Sequence, residues 1–118
     1  MNLTELFRHQ TDLQSLAAGA TLFKEGEQGD LMYVLMSGTE EIIVRNKVVE
    51  IAVPGTILGE MAMIDDQARS ATVIAKDDCK LLPIERHRFN FLIQQTPNFA
   101  LQVMRVMANR LRKTDELL

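Results

Sequence analysis

Between positions 57 and 73 the chain reads Ile57-Leu58-Gly59-Glu60-Met61-Ala62-Met63-Ile64, then Asp65-Asp66-Gln67-Ala68, then Arg69-Ser70-Ala71-Thr72-Val73. These residue types suit an anion with a hydroxyl beside it. Gly59 has no Cβ, so a ligand can come close to the backbone. Glu60 to Met63 are good helix formers, and the first N–H groups of a helix lack intrahelical partners, which makes them a seat for an anion. Arg69 follows the loop, and its planar guanidinium can grip two phosphate oxygens at once. Ser70 can donate one more hydrogen bond. Glu60, acceptor-only when ionised, can take the proton of a sugar hydroxyl and balance Arg69. On spacing alone, however, a Glu and an Arg nine positions apart are better read as a surface ion pair.

The elements that must hold this segment can be read around it. Residues 3 to 18 are expected to be helical: Leu3, Leu6 and Phe7, then Leu13, Leu16 and Ala17, sit at helical spacing. Thr11 and Gln14 form a capping-box pattern, and Gly19 ends the region. From Thr21 onward, short apolar runs alternate with turn residues: Thr21–Phe23, Leu31–Met36, Ile42–Val44, Val48–Val53, Ile57–Leu58, Ala71–Ala75 and Cys79–Ile84. Asn46-Lys47 and Pro54-Gly55 read as turns. Many short strands at this spacing predict a sandwich, jelly roll or barrel. Phe89, Leu92 and Ile93 mark a short helix, and Thr96-Pro97 caps a last one that runs toward the chain end. The expected architecture is mainly β, with a helical segment before the strands and a helix pair after them.

Composition narrows the function. The chain has 118 residues, 47% of them hydrophobic and 25% charged, so one core and one domain over 1–118 are expected. A net charge of −3 is not the footprint of a nucleic-acid binder. Cys79 is the single cysteine, which points to a reducing cytoplasm and to a small buried hydrophobe rather than a reactive thiol. No stretch is apolar enough for a signal peptide or a membrane span. His9 and His87 are the only histidines, one in each terminal helical region, so a metal-dependent jelly-roll enzyme is disfavoured. No catalytic residue, metal or cofactor is expected.

Gly59-Glu60-Met61-Ala62 followed by Arg69-Ser70-Ala71-Thr72-Val73 resembles the phosphate-binding cassette of the cyclic-nucleotide-binding domain family. Upstream, Gly19-Ala20-Thr21-Leu22-Phe23-Lys24-Glu25-Gly26, Gly29-Asp30-Leu31-Met32-Tyr33-Val34-Leu35 and Ser37-Gly38 resemble the family's first strands and glycine turns. The resemblance runs over roughly residues 16 to 115 and implies an antiparallel β-roll flanked by helices. It implies that Glu60 binds the ribose 2′-hydroxyl. It implies that Arg69 binds the cyclic phosphate, helped by Ser70 and by backbone N–H groups near Gly59, Glu60 and Ala71. Val49, Leu58, Met61 and Ile42 or Ile43 become candidates for the apolar wall, with core packing an equal explanation. Asn109 to Glu116 is similar to the ligand-capping turn of bacterial catabolite activators. That similarity places Arg110 near the ribose and Glu60, and Thr114 at an adenine amine. Asp115 stands where those proteins carry a serine; an acceptor there favours cAMP over cGMP.

The expected function is therefore a cyclic-nucleotide sensor, for cAMP and with cGMP as the second choice, signalling through its last helix to an effector protein. The apolar surface of that helix (Phe99, Leu101, Val103, Met104, Val106, Met107, Ala108, Leu111) suits the β-roll and also a homodimer. No helix-turn-helix follows, so direct DNA reading is not expected. The alternative is a scaffold of the same fold that binds no nucleotide.

Overall fold

The computed structural model describes residues 2–116, with side chains through Lys113. The elements run α1 (Leu3–Leu6), β1 (Gln14–Leu16), β2 (Thr21–Phe23), β3 (Leu31–Ser37), β4 (Glu40–Val44), β5 (Lys47–Ala52) and β6 (Ile57–Leu58). A single 3-10 turn (Glu60–Met63) follows, then β7 (Thr72–Ala75), β8 (Cys79–Glu85), α2 (Arg86–Gln95) and α3 (Pro97–Glu116). The strands make two four-stranded antiparallel sheets, ordered β1-β8-β3-β6 and β2-β7-β4-β5. This is the expected β-roll with flanking helices.

The first sheet is buried on both faces, which explains the unbroken apolar run at Leu31–Met36. Along β3, Met32 and Val34 join the cluster that holds Phe7, Phe89, Phe99 and Val103 of the helical regions. Tyr33 and Leu35 join a second cluster with Ile42, Ala52 and Val73 of the other sheet. β8 repeats the division, with Leu82 and Ile84 in the first cluster and Cys79 and Leu81 in the second. Phe99 of α3 lies edge-on to Phe7 and Phe89, with ring centroids 6.1 and 6.0 Å away. It anchors the start of α3 over the first sheet.

Two expectations about local structure are corrected. Residues 3 to 18 do not form one helix: α1 is a single turn capped by Asn2, and Gln14–Leu16 is strand β1, paired with β8. The supposed capping box does not form, because Gln14 lies in that strand. A spacing of three puts residues on one face of a helix but on opposite faces of a strand. Leu13 and Leu16 use the second option, packing against the first and second clusters respectively. The β4–β5 turn falls at Arg45-Asn46, one residue earlier than expected, with φ of 50° and 66°. Positive φ at both central residues is the type I′ geometry that matches strand twist.

Glu40 is the least expected core residue. It sits on β4 between Ala52 of β5 and Ala75 of β7 and is fully buried. Neither carboxylate oxygen has a hydrogen-bond partner among the described residues. Burial pushes its pKa from 4.5 up to about 7. The folded protein therefore holds this proton more tightly than the unfolded chain does. The associated stability is complete below about pH 4.5 and is lost as pH rises to about 7. Denaturant unfolding of the wild type and Glu40→Gln should show it. Between about pH 4.5 and 7.5 the wild type should lose on the order of 3 kcal/mol relative to the variant. Parallel pH profiles for the two proteins would contradict this.

Candidate functional site

β6 ends at Leu58, and the chain turns through Gly59 at φ 72°, ψ 27°. That left-handed conformation favours glycine. A Cβ would also overlap Nη1 of Arg69 at 2.5 Å and press on the Leu31 carbonyl and the Phe23 ring, both at 3.3 Å, so a larger residue here would displace the Arg69 side chain. The expected helix after Gly59 is one 3-10 turn, closed by Ala62 N–H donating to the Gly59 carbonyl at 3.2 Å. The chain returns through residues 64–71 to β7. That return is fixed at Arg69, whose carbonyl accepts from Gly26 N–H at 2.8 Å and whose N–H donates to the Glu27 carbonyl at 2.7 Å.

Gly59, Glu60, Met61, Arg69, Ser70 and Ala71 all line one cavity, and so do Leu58, Ile42 and Arg110. Val49 does not line it; this half-buried residue packs against the second core cluster. Ile43 is likewise outside the lining. The side chains of Thr114 and Asp115 lie outside the described residues. Sequence reasoning did not single out Phe23, Ala62, Gln67, Ala68 and Val73 as wall residues. Gln67 and Ala68 sit inside the quoted segment, but nothing in their types marks them.

Arg69 is held by stacking and by burial. Its guanidinium carbon lies 4.1 Å from the centroid of the Phe23 ring, a cation–π contact. Nη1 donates to the Gly59 carbonyl at 3.4 Å, and Nε is buried with no partner among the described residues. Burial lowers the Arg69 pKa, opposed by Tyr33, Asp30, Glu27 and Glu60. An arginine so placed keeps its charge. Gly29 leaves room for it in this position, since a Cβ there would overlap the guanidinium.

Glu60 is not the direct partner of Arg69. It is 5% exposed, and its Oε2 accepts from Nη1 of Arg110 at 2.8 Å. Arg110 comes from α3, and it also donates from Nη2 to the Ile57 carbonyl at 2.7 Å. Glu50 of β5 completes the arrangement, accepting from Nε at 3.2 Å and from Nη2 at 3.3 Å. Burial alone would lower the Arg110 pKa, but Glu60 and Glu50 outweigh it and hold it above its ordinary value. Arg69 is left to the ring of Phe23, which is why the expected Glu60–Arg69 balance acts only through space. The resemblance did place Arg110 near Glu60, and that proximity is found.

The rest of the α3 surface divides. Phe99 and Val103 are buried, and Val106 and Met107 pack against the first cluster. Leu101, Met104 and Leu111 are exposed. Among the described residues no His, Cys, Asp and Glu group could hold a metal ion, and no helix is long and apolar enough to cross a membrane.

The family model described as the cyclic nucleotide-binding domain matches residues 13–96. The chain belongs to this family. It is 38% identical over 74 residues to a cGMP-dependent protein kinase of Eimeria tenella, covering 63% of this chain and 7% of that protein. It is 29% identical over 102 residues to the cyclic AMP receptor protein of Thermus thermophilus, covering 82% of this chain and 47% of that one. The chain thus spans less than half the length of these curated relatives. Among solved structures, the Thermus thermophilus catabolite activator protein superposes with a TM-score of 0.78 at 25% identity, covering 93% of this chain and 59% of that one. The domain is therefore a cyclic-nucleotide-binding domain similar to those of cAMP and cGMP sensors.

The Glu60–Arg110 pair yields a stability prediction. Arg110→Met leaves the buried Glu60 carboxylate without its cation and should cost on the order of 3 kcal/mol in urea unfolding. Glu60→Gln in the same background should restore part of that loss. A double variant no more stable than Arg110→Met would show that the pair is not the source.

Proposed function

We propose that this domain is a sensor that binds a 3′,5′-cyclic nucleotide in the cavity, cAMP in preference to cGMP, and that it catalyses no reaction. The observation that carries the reading is the Arg69 guanidinium: cationic, half-buried, with a buried Nε that has no partner among the described residues, on the wall of a cavity that also presents Glu60. An unpaired buried polar group costs about 1–3 kcal/mol, and an anion that accepts from it removes the cost. The cyclic phosphate is assigned to Arg69, Ser70 and the backbone N–H groups near Gly59, Glu60 and Ala71. Glu60 retains acceptor capacity beyond its bond to Arg110, and this is assigned to the ribose 2′-hydroxyl. Leu58, Met61 and Ile42 form the apolar wall. The base is assigned to Arg110, Thr114 and Asp115; an acceptor at Asp115 suits the 6-amine of adenine and not the carbonyl oxygen of guanine.

The signal is assigned to α3. The cavity, partly open to solvent, holds about 70 Å³, well below the roughly 300 Å³ at which small-molecule pockets begin. Admitting a nucleotide therefore requires the 59–71 segment and α3 to part, after which the nucleotide favours one position of α3 over another. An effector protein that prefers one position reads the ligand. The lone buried Cys79 supports a reducing cytoplasm as the setting. No nucleic acid, membrane, metal or cofactor enters this reading.

Calorimetric titration with cAMP, cGMP and 5′-AMP, repeated with Arg69→Ala, tests it. The expected order is cAMP, then cGMP, with little binding of 5′-AMP and at least a tenfold loss in the variant, since a charge-assisted contact contributes about 1.5–3 kcal/mol. If none of the three binds, the domain is instead a protein-interaction scaffold. The exposed stripe of Leu101, Met104 and Leu111 on α3 supports a homodimer as part of the same reading. Sedimentation equilibrium should give a dimer mass for the wild type and a monomer mass for the Leu101→Glu/Met104→Glu variant. A monomer in both would remove the dimer from the proposal.

A further inference from the structure

Glu50 lies where strand alternation hides it. β5 pairs Ala52 with Glu40 and Glu50 with Ile42, but then Val48 with Ile43, so Val49 is the extra residue of a β-bulge. Directly paired residues share a face, which puts Glu50 on the same side as Ile42, a wall residue of the cavity. Its two carboxylate oxygens fork onto Arg110 at 3.2 and 3.3 Å. Arg110 in turn reaches Glu60 at 2.8 Å and the Ile57 carbonyl at 2.7 Å. The tie is built from groups of the chain alone, and it fastens α3 to the strand beside the cavity.

We propose that Glu50 is a built-in competitor of the nucleotide, an affinity-setting residue that neutralises Arg110 and draws α3 down on β5. The inference rests on the reading of the cavity given above. Two physical terms act in the same direction. The Glu50 carboxylate subtracts one charge from the site, so removing it makes the partly desolvated surroundings of the cavity more positive by one charge and strengthens the attraction for an arriving anion. The fork also resists the parting of α3 that a cavity of about 70 Å³ requires before a nucleotide can seat. Glu60 is needed by the ribose, whereas Glu50 serves only to hold Arg110, so the two carboxylates have opposite effects on binding.

The test is cAMP binding by calorimetry and stopped flow for the wild type, Glu50→Gln and Glu50→Asp, with hydrogen exchange of residues 105–113 in ligand-free samples. Glu50→Gln keeps the shape and removes the charge. It should bind cAMP about tenfold more tightly, given the strength of a charge-assisted contact, and associate faster. Its α3 amides should exchange faster than those of the wild type. Glu50→Asp keeps the charge but shortens the reach, so it should raise exchange with a smaller gain in affinity, and it carries the test if the glutamine variant does not fold. Weaker or unchanged cAMP binding by the variants overturns the proposal, and so does unchanged exchange in α3. If neither the wild type nor any variant binds a cyclic nucleotide, the cavity reading itself fails and the competitor falls with it. The exchange data then still report whether Glu50 fastens α3.

Discussion

Among its partners, the guanidinium of Arg110 reaches from α3 to the Glu50 carboxylate on β5, the carbonyl of Ile57 on β6, and Glu60 at the start of the 3-10 turn. A buried carboxylate such as Glu60 is tolerable only with a compensating cation, so the geometry of the turn and the seat of the last helix depend on one another. The cation is secure because two carboxylates outweigh the effect of burial on its pKa. Displacing α3 changes the electrostatics of the cavity, and changing the charge in the cavity changes the cost of displacing α3. That reciprocity is the thermodynamic requirement for a sensor, in which ligand and helix position bias each other equally.

Arg69 solves a different problem. The chain is net negative, with charge −3, so the anionic ligand proposed for the cavity depends on a local feature rather than on the overall field. The face of the Phe23 ring carries partial negative charge and holds the guanidinium without taking up its hydrogen-bonding capacity. A carboxylate in that position would occupy the donors that the proposed phosphate contact uses. The two arginines therefore differ: Arg110 of α3 sits between two carboxylates, and Arg69 rests on an aromatic ring with its Nε unpartnered among the described residues.

The scaffold beneath both arginines is the sheet buried on two faces. Because β3 and β8 send alternate residues to the helices and to the second sheet, any shift of one layer is felt by the other. The β4–β5 hairpin runs against the usual pattern. Its inner face carries Glu40 and Glu50, while Val48 and Ile51 are exposed on the outside. The two inward acids have different surroundings. Glu40 is sealed without a partner and is held toward its neutral form, whereas Glu50 has the Arg110 guanidinium.

The strand succession, the glycine turns and the spacing of Gly59, Glu60 and Arg69 were legible because they depend on local rules: short-range periodicity, backbone conformations that favour glycine, and a motif contiguous in the chain. Those rules determined the fold class, and the resemblance carried by the contiguous motif pointed to most of the cavity wall. They misread residues 3 to 18, since a three-residue apolar spacing fits a helix face and the two faces of a strand equally well. The partners of the charged groups came only from the tertiary structure. Phe23 meets Arg69 across 46 positions of chain, Glu60 and Glu50 meet Arg110 across 50 and 60, and Glu50 faces inward by alternation with the buried Ala52, although its residue type suggests the solvent face. An ion pair is chosen by which groups the folded chain brings within about 4 Å, and that choice belongs to the packing of α3 on the β-roll rather than to any stretch of sequence.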